Sequence, residues 1–272
     1  MRIKIAAAQL ELSVDDPASN FAKSKQAIKE AVKNGAQLVL LPELSNSGYA
    51  FKSREQALEN CWQIDGPEIR EWILLVAELK IVLVAGVGII DGNTLKNCSV
   101  IIDSSGLLGV YTKAHLWGKE PDFFERGETA PLVVQTHLGR IGTVICYDAE
   151  FPEWIRYSML AGAQLLAIPT NWPDTGLPTK PTPLEVVRIQ AAASQNKIVI
   201  AACDRTGDEN GIHWVSSSVI VDSNGVIQSI VSSRGEEIIY SKVELPTDDV
   251  IGPRNSIKAD RRVDLYQRFP IT

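Results

Sequence analysis

Short apolar, often β-branched runs recur along this chain, each stopping at a polar turn, with stretches of helical periodicity between them. No other feature constrains the fold as strongly. Strand-then-helix order selects an α/β architecture, with strands buried between helical layers. The runs Ile3–Gln9, Leu38–Leu41, Ile81–Ile90, Asn97–Ile102 and Leu107–Lys113 read as strands in the first half. Ile141–Cys146, Leu165–Pro169 and Ile198–Cys203 read the same way in the second. Between them, Asn20–Asn34 places Phe21, Ala27, Ile28, Ala31 and Val32 on one face and stops at Gly35, as an amphipathic helix does. Pro67–Lys80, Glu153–Ala161 and Leu184–Asn196 are further helices, and Ser223-Asn224-Gly225 joins Ser216–Asp222 to Val226–Val231 as a hairpin.

No linker or low-complexity stretch divides the 272 residues, so a single domain over 1–272 is expected. The polar, irregular tail from about Thr247 would pack on the body or on a partner subunit. Asn171–Pro183, with four prolines, is the longest expected loop, and loops of that length in compact domains are often functional. Hydrophobic residues at 45% allow a sizeable core. A net charge of −6 and no Lys/Arg cluster beyond Lys258–Arg262, which Asp260 interrupts, argue against a nucleic-acid partner. Four cysteines (61, 98, 146, 203) and three histidines show neither disulfide-framework nor metal-ligand spacing. With no apolar run near the ~20 residues a membrane span needs, the expected protein is cytoplasmic, reduced and metal-free, with no membrane partner.

Three strands end at a reactive side chain followed by polar turn residues: Leu38–Glu43, Leu108–Lys113 and Gly142–Cys146. Each has an ordinary reading. A carboxylate can cap a loop, a lysine can be a solvated strand end, and a free cysteine is among the most buried residue types. Brought together, however, thiol, carboxylate and ammonium form a set for acyl transfer: nucleophile, proton carrier and oxyanion stabiliser. Strand ends in α/β proteins are where such groups converge.

At these positions the chain resembles the nitrilase superfamily of carbon–nitrogen hydrolases. Three blocks carry the resemblance: Leu41-Pro42-Glu43-Leu44-Ser45-Asn46-Ser47-Gly48-Tyr49, Tyr111-Thr112-Lys113-Ala114-His115-Leu116, and Ile145-Cys146-Tyr147-Asp148-Ala149-Glu150-Phe151-Pro152-Glu153. It implies a four-layer α-β-β-α sandwich that pairs into dimers or larger homo-oligomers and works without a cofactor. By position, Glu43 matches the family's general base, Lys113 its oxyanion-stabilising lysine and Cys146 its nucleophile. Its second glutamate falls best on Glu120, with Glu125 as runner-up in the same loop. Tyr49, His115, Tyr147, Glu150, Asn171 and Trp172 are the implied substrate-side residues. Tyr147 would act through its backbone N–H, His115 by ordering its loop, and Asn171-Trp172 by lining the pocket. Asp148, Phe151, Pro152, Glu153 and Arg156 would be scaffold for the cysteine turn.

The implied reaction is hydrolysis of a small amide through a Cys146 thioester. N-carbamoyl compounds and nitriles remain open alternatives on the same machinery. Cys-Tyr-Asp resembles the amidase branches more than the Cys-Trp-Glu of true nitrilases. Where a common amidase form has arginine, this chain has Glu150, an exchange that would disfavour an acidic substrate tail and favour an amine-bearing one. Two readings of other classes compete: a silent scaffold member, which the presence of all four polar residues opposes, and a redox-sensing thiol, which would want a resolving cysteine close by.

Overall fold

The computed structural model describes residues 1–176, 180 and 182–266. Two sheets lie face to face. In the first, Glu237–Glu244, Arg2–Gln9, Leu38–Leu40, Val82–Asp91, Thr94–Asp103 and Gly106–Thr112 follow one another, and the short Trp62–Gln63 pairs with Val82–Asp91. In the second the order is Ile227–Ile230, Val219–Val221, Val199–Cys203, Leu165–Pro169, Gly139–Thr143 and Leu132–Thr136.

The period of two along each strand sorts its side chains between layers. Ile3, Ile5, Leu38, Leu40, Val82 and Val84 from the first sheet meet Ile141, Leu165, Val199 and Ala201 from the second in one buried cluster. The alternate residues Ala6, Ala8, Val39, Leu83 and Ala85 face outward. They pack against Ala27, Ile28 and Ala31 of helix Pro17–Lys33 and Ile69, Trp72 and Val76 of helix Pro67–Leu79. Across the molecule Leu166, Ile168, Ile200 and Ala202 pack on Ile155 and Met159 of helix Pro152–Leu160 and on Val186, Ile189 and Ala193 of helix Leu184–Asn196. The layers are therefore α-β-β-α, and the central strands read as continuous apolar runs because both of their faces are covered.

Several elements were not legible in the periodicity. Helix Arg54–Asn60 is about two turns long with few apolar positions, and Leu132–Thr136 is an edge strand with half-buried residues. Glu237–Glu244 closes the outer edge of the first sheet beside Arg2–Gln9. The region after Thr247, expected to be irregular, contains a small hairpin (Val250–Gly252 with Asn255–Ser256) and a short helix, Val263–Tyr266. Ile257 from this region is buried among the residues of the outer helices.

Candidate active site

Strand directions bring the reactive residues to one place. Leu38–Leu40 and Val82–Asp91 are parallel, and the two antiparallel pairings that follow turn Gly106–Thr112 back into the same direction. Glu43 and Lys113 thus both leave the first sheet at the same end. In the second sheet Gly139–Thr143 and Leu165–Pro169 are parallel, so Cys146 and Asn171 also emerge together. The site straddles the seam between the two sheets. Chain approach here is tight: a Cβ at Gly86 would stand 2.4 Å from the Cα of Glu43, so only glycine fits on the neighbouring strand.

The Lys113 ammonium is fully buried and lies between two carboxylates. It donates to Glu43 Oε1 and to Glu120 Oε1, each at 2.7 Å. Asn97 Nδ2 also donates to Glu43 Oε1 (2.6 Å), while Tyr49 Oη donates to Glu120 Oε1 (2.8 Å) and the Trp117 N–H to Glu120 Oε2 (3.2 Å). Glu43 Oε2 is buried and has no hydrogen-bond partner among the described residues. Burial pushes the Glu43 carboxyl up to about 7 against the opposing pull of Lys113. Burial also acts to discharge Lys113, but the Glu120 and Glu43 carboxylates outweigh it and hold its pKa well above the ordinary lysine value. Glu125, the alternative second glutamate, is exposed and only its N–H is engaged, on Leu95 O.

Cys146 opens the 3₁₀ turn Cys146–Glu150 with a φ of +45°, a conformation non-glycine residues rarely adopt. Asp148 holds that turn. Its Oδ2 accepts from the Ile145 N–H (3.1 Å) and Tyr111 Oη (2.8 Å), and its Oδ1 from the His115 N–H (2.9 Å) and lies 2.7 Å from His115 Nδ1. The His115 ring stacks on Phe151 with centroids 3.8 Å apart. His115 is therefore a brace between two loops and does not line the cavity beside Cys146. Arg156 differs from expectation too: it donates to Gln195 O and so ties the two outer helices together, because three residues along the helix turn its side chain away from the cysteine. The Cys146 thiol is 3.8 Å from Asn171 O, and burial together with the nearby Glu43 charge raises its pKa well above the ordinary value. Both side-chain polar atoms of Asn171 are buried without a partner among the described residues.

A buried thiol thus stands beside a carboxylate–ammonium–carboxylate cluster. The carbon-nitrogen hydrolase pattern matches residues 4–248. The chain belongs to the carbon–nitrogen hydrolase family. A nitrilase from Pyrococcus abyssi is 33% identical over 98% of this chain and 100% of its own length. An N-carbamoylputrescine amidase from Arabidopsis thaliana is 30% identical, covering 93% of this chain and 90% of its own. Among solved structures, a glutamate-to-glutamine mutant of the amidase from Nesterenkonia sp. AN1, carrying acrylamide added at its active-site cysteine, superimposes with a TM-score of 0.80. Its identity is 25%, over 98% of this chain and 99% of that one. The protein is accordingly a nitrilase-superfamily hydrolase acting on C–N bonds of amides, built as the α-β-β-α sandwich.

Two cavities meet this hydrolase's site on either side of Trp117 and Pro173. A small one, ≈ 80 Å³, holds Cys146, Tyr147, Glu150 and Trp172. A larger one, ≈ 460 Å³, is bounded by Tyr49, Phe51, Glu120, Phe123 and Phe124. Part of the Asn171–Pro183 loop (177–179 and 181) lies outside the described residues.

The structure adds residues the sequence analysis missed. Asn97 holds Glu43, and Glu185 and Arg188 line the small cavity. Glu209 accepts from the backbone N–H groups of Val14, Tyr49 and Ala50 at 2.7–2.8 Å and from Arg205 Nη1 at 3.0 Å. The Arg205 guanidinium sits over the Trp214 ring, which meets the Tyr49 ring edge-on. These contacts clamp the loop that delivers Tyr49 to Glu120. The i, i+4 spacing of Arg205 and Glu209 was visible, but nothing in it pointed to Tyr49, 160 residues upstream of Glu209.

Proposed function

We propose that this hydrolase cleaves a small linear amide to a carboxylic acid and ammonia or an amine through a thioester on Cys146. The observation that carries the reading is the buried Glu43–Lys113–Glu120 cluster, with both lysine contacts at 2.7 Å and a free Glu43 Oε2, at the thiol. The thiol, held neutral by burial, attacks the amide carbon as its proton passes to Glu43. Developing charge on the carbonyl oxygen is met by Lys113 and the Tyr147 N–H, which lies in the first turn where backbone donors lack intrahelical partners. Donors of this kind are worth about 3 kcal/mol each. Glu43 then protonates the departing nitrogen, and the same carboxylate draws a proton from the water that hydrolyses the thioester. Glu120 keeps the ammonium fixed between the two acids and Tyr49 keeps Glu120 in place. Trp172 and Glu150 form part of the acyl-side wall, with the Asn171 carbonyl against the thiol.

The similarity to an N-carbamoylputrescine amidase favours a second reading, hydrolysis of an N-carbamoyl amine by the same residues. A nitrile would pass through a thioimidate on the same cysteine. The deciding experiment is ammonia release from amides, N-carbamoyl compounds and nitriles by the native protein and by Cys146→Ala. Amide turnover that disappears in the variant supports the proposal. Turnover confined to carbamoyl compounds or nitriles replaces the substrate class, and unchanged turnover in Cys146→Ala refutes the thioester.

The same reading places the protein in the cytoplasm as a homodimer or larger homo-oligomer. Four unpaired cysteines suit a reducing compartment. Exposed Tyr157, Leu160, Val187 and Ile251, on the outer helices and the hairpin beyond them, supply apolar surface for a second copy. Size-exclusion chromatography with light scattering tests the assembly, and a monomer at all concentrations would refute it.

A further inference from the structure

The small cavity beside Cys146 carries two carboxylates and one guanidinium, and this imbalance bears on the substrate. Glu150 accepts from Arg188 Nη1 at 3.0 Å, a hydrogen-bonded pair that largely cancels itself. Glu185 is different. Its side chain is only 9% exposed, and its contact with Arg188 is 4.0 Å, outside hydrogen-bond reach. Helix Leu184–Asn196 begins there, so Glu185 sits in the first turn and is directed into the same cavity as the thiol. The rest of the wall includes the aromatic residues Trp117, Tyr147 and Trp172 and offers no further charge. At ≈ 80 Å³ the space admits only a few heavy atoms, since one water's share of liquid is about 30 Å³.

We infer that Glu185, with Glu150 held on Arg188 as a fixed partner, is the specificity-determining residue for a short acyl chain ending in an ammonium group. The substrate class is an aminoalkyl amide whose amine lies a few bonds from the scissile carbonyl. This rests on the amide-hydrolase reading above and adds the charge of the acyl end to it. An ammonium entering the cavity meets the one carboxylate not already hydrogen-bonded to a cation among the described residues. An anionic end would meet that carboxylate at close range, with Arg188 already engaged. A neutral end would leave Glu185 largely desolvated with only the 4.0 Å contact to Arg188 for its charge, a costly condition for a charge out of water.

Three amides decide the matter, the isosteric pair 3-aminopropanamide (cation) and butanamide (neutral) and the slightly larger succinamate (anion), compared by kcat/KM for ammonia release. The native enzyme is expected to favour the cation over butanamide by roughly tenfold or more and to favour succinamate least, tenfold being the value of about 1.4 kcal/mol. Glu185→Gln should collapse the cation-to-neutral ratio towards one, while Arg188→Gln, which removes the compensating positive charge, should raise it. Opposite movements of one ratio are not what a general loss of folding or packing produces, and Arg188→Gln still tests the inference if Glu185→Gln does not fold. Equal efficiency on all three amides, or a preference for succinamate, overturns the inference and leaves amide hydrolysis standing. Ammonia from none of them overturns the amide reading and the inference with it.

Discussion

At the scale of single residues, the central fact is an ammonium shared by two acids and buried with them. Coulomb attraction is strong at 2.7 Å in such surroundings, but so is the desolvation of three charges. Lys113→Ala should therefore do two things: abolish turnover, and leave Glu43 and Glu120 as uncompensated buried charges. The expected loss is about 3–5 kcal/mol, read from urea unfolding. A Glu43 pKa near 7 has a kinetic consequence, because the base must be ionised to accept the thiol proton. Acyl transfer is expected to fall about tenfold per pH unit below 7 and to level off above it, checked by the pH profile of kcat/KM. The stability consequence has the opposite sign from the usual carboxylate. Its folded pKa lies above the ordinary 4.5, so the folded state holds the proton more tightly than the unfolded chain. That contribution is complete below pH 4.5 and is lost as pH rises through 7. Replacing Glu43 by Gln should flatten this part of the stability profile.

At the scale of elements, loops and strand ends hold those side chains in register. Tyr49→Phe removes one hydroxyl donor from Glu120 and should cost about 1–2 kcal/mol in transition-state stabilisation, or roughly tenfold or more in kcat/KM. The effect should appear without loss of thermal stability, since the ring and its contact with Trp214 remain. Glu209→Ala is the converse case. It strands three backbone N–H groups and the buried Arg205, and an expected loss of about 3–5 kcal/mol would be visible by denaturant unfolding. Gly86→Ala tests the seam directly. With a Cβ 2.4 Å from Glu43 Cα, the strand or the base must move, and activity should fall even if the protein folds. The thiol, at positive φ on its turn, depends likewise on Asp148, which four donors and ring groups from three segments surround.

For the whole molecule, two sheets with helices on both outer faces form three apolar interfaces, and the site sits where the sheets' strand ends meet. Leu40 lies at the centre of the inter-sheet cluster and is fully buried. Leu40→Ala should cost about 2–5 kcal/mol, measured by thermal or chemical unfolding, because a packed interior relaxes only partly around a deleted side chain. Turnover should survive at temperatures well below the lowered transition, since Glu43 is held by Asn97 and Lys113 as well as by its own strand.

Much of this was written locally. The apolar period along each strand marks which segments are buried, and strand ends at Glu43, Lys113 and Cys146 are audible in the order of residue types alone. The α/β class followed from those, because a strand's alternation and a helix's stripe depend on near neighbours in the chain, whereas the four-layer order came with the resemblance carried by the three motif blocks. What tertiary structure alone decided is what depends on distant residues. That Glu43 reaches Lys113, that Glu43 is free on one oxygen, and that Asp148 gathers Tyr111 and His115 are facts of approach between segments tens of residues apart. The edge strand Glu237–Glu244 was missed because its half-buried residues carry little apolar signal until Arg2–Gln9 lies beside them. Glu185 and Arg188 read as an ordinary polar face of a helix, and only the fold places their charges in the cavity with Cys146.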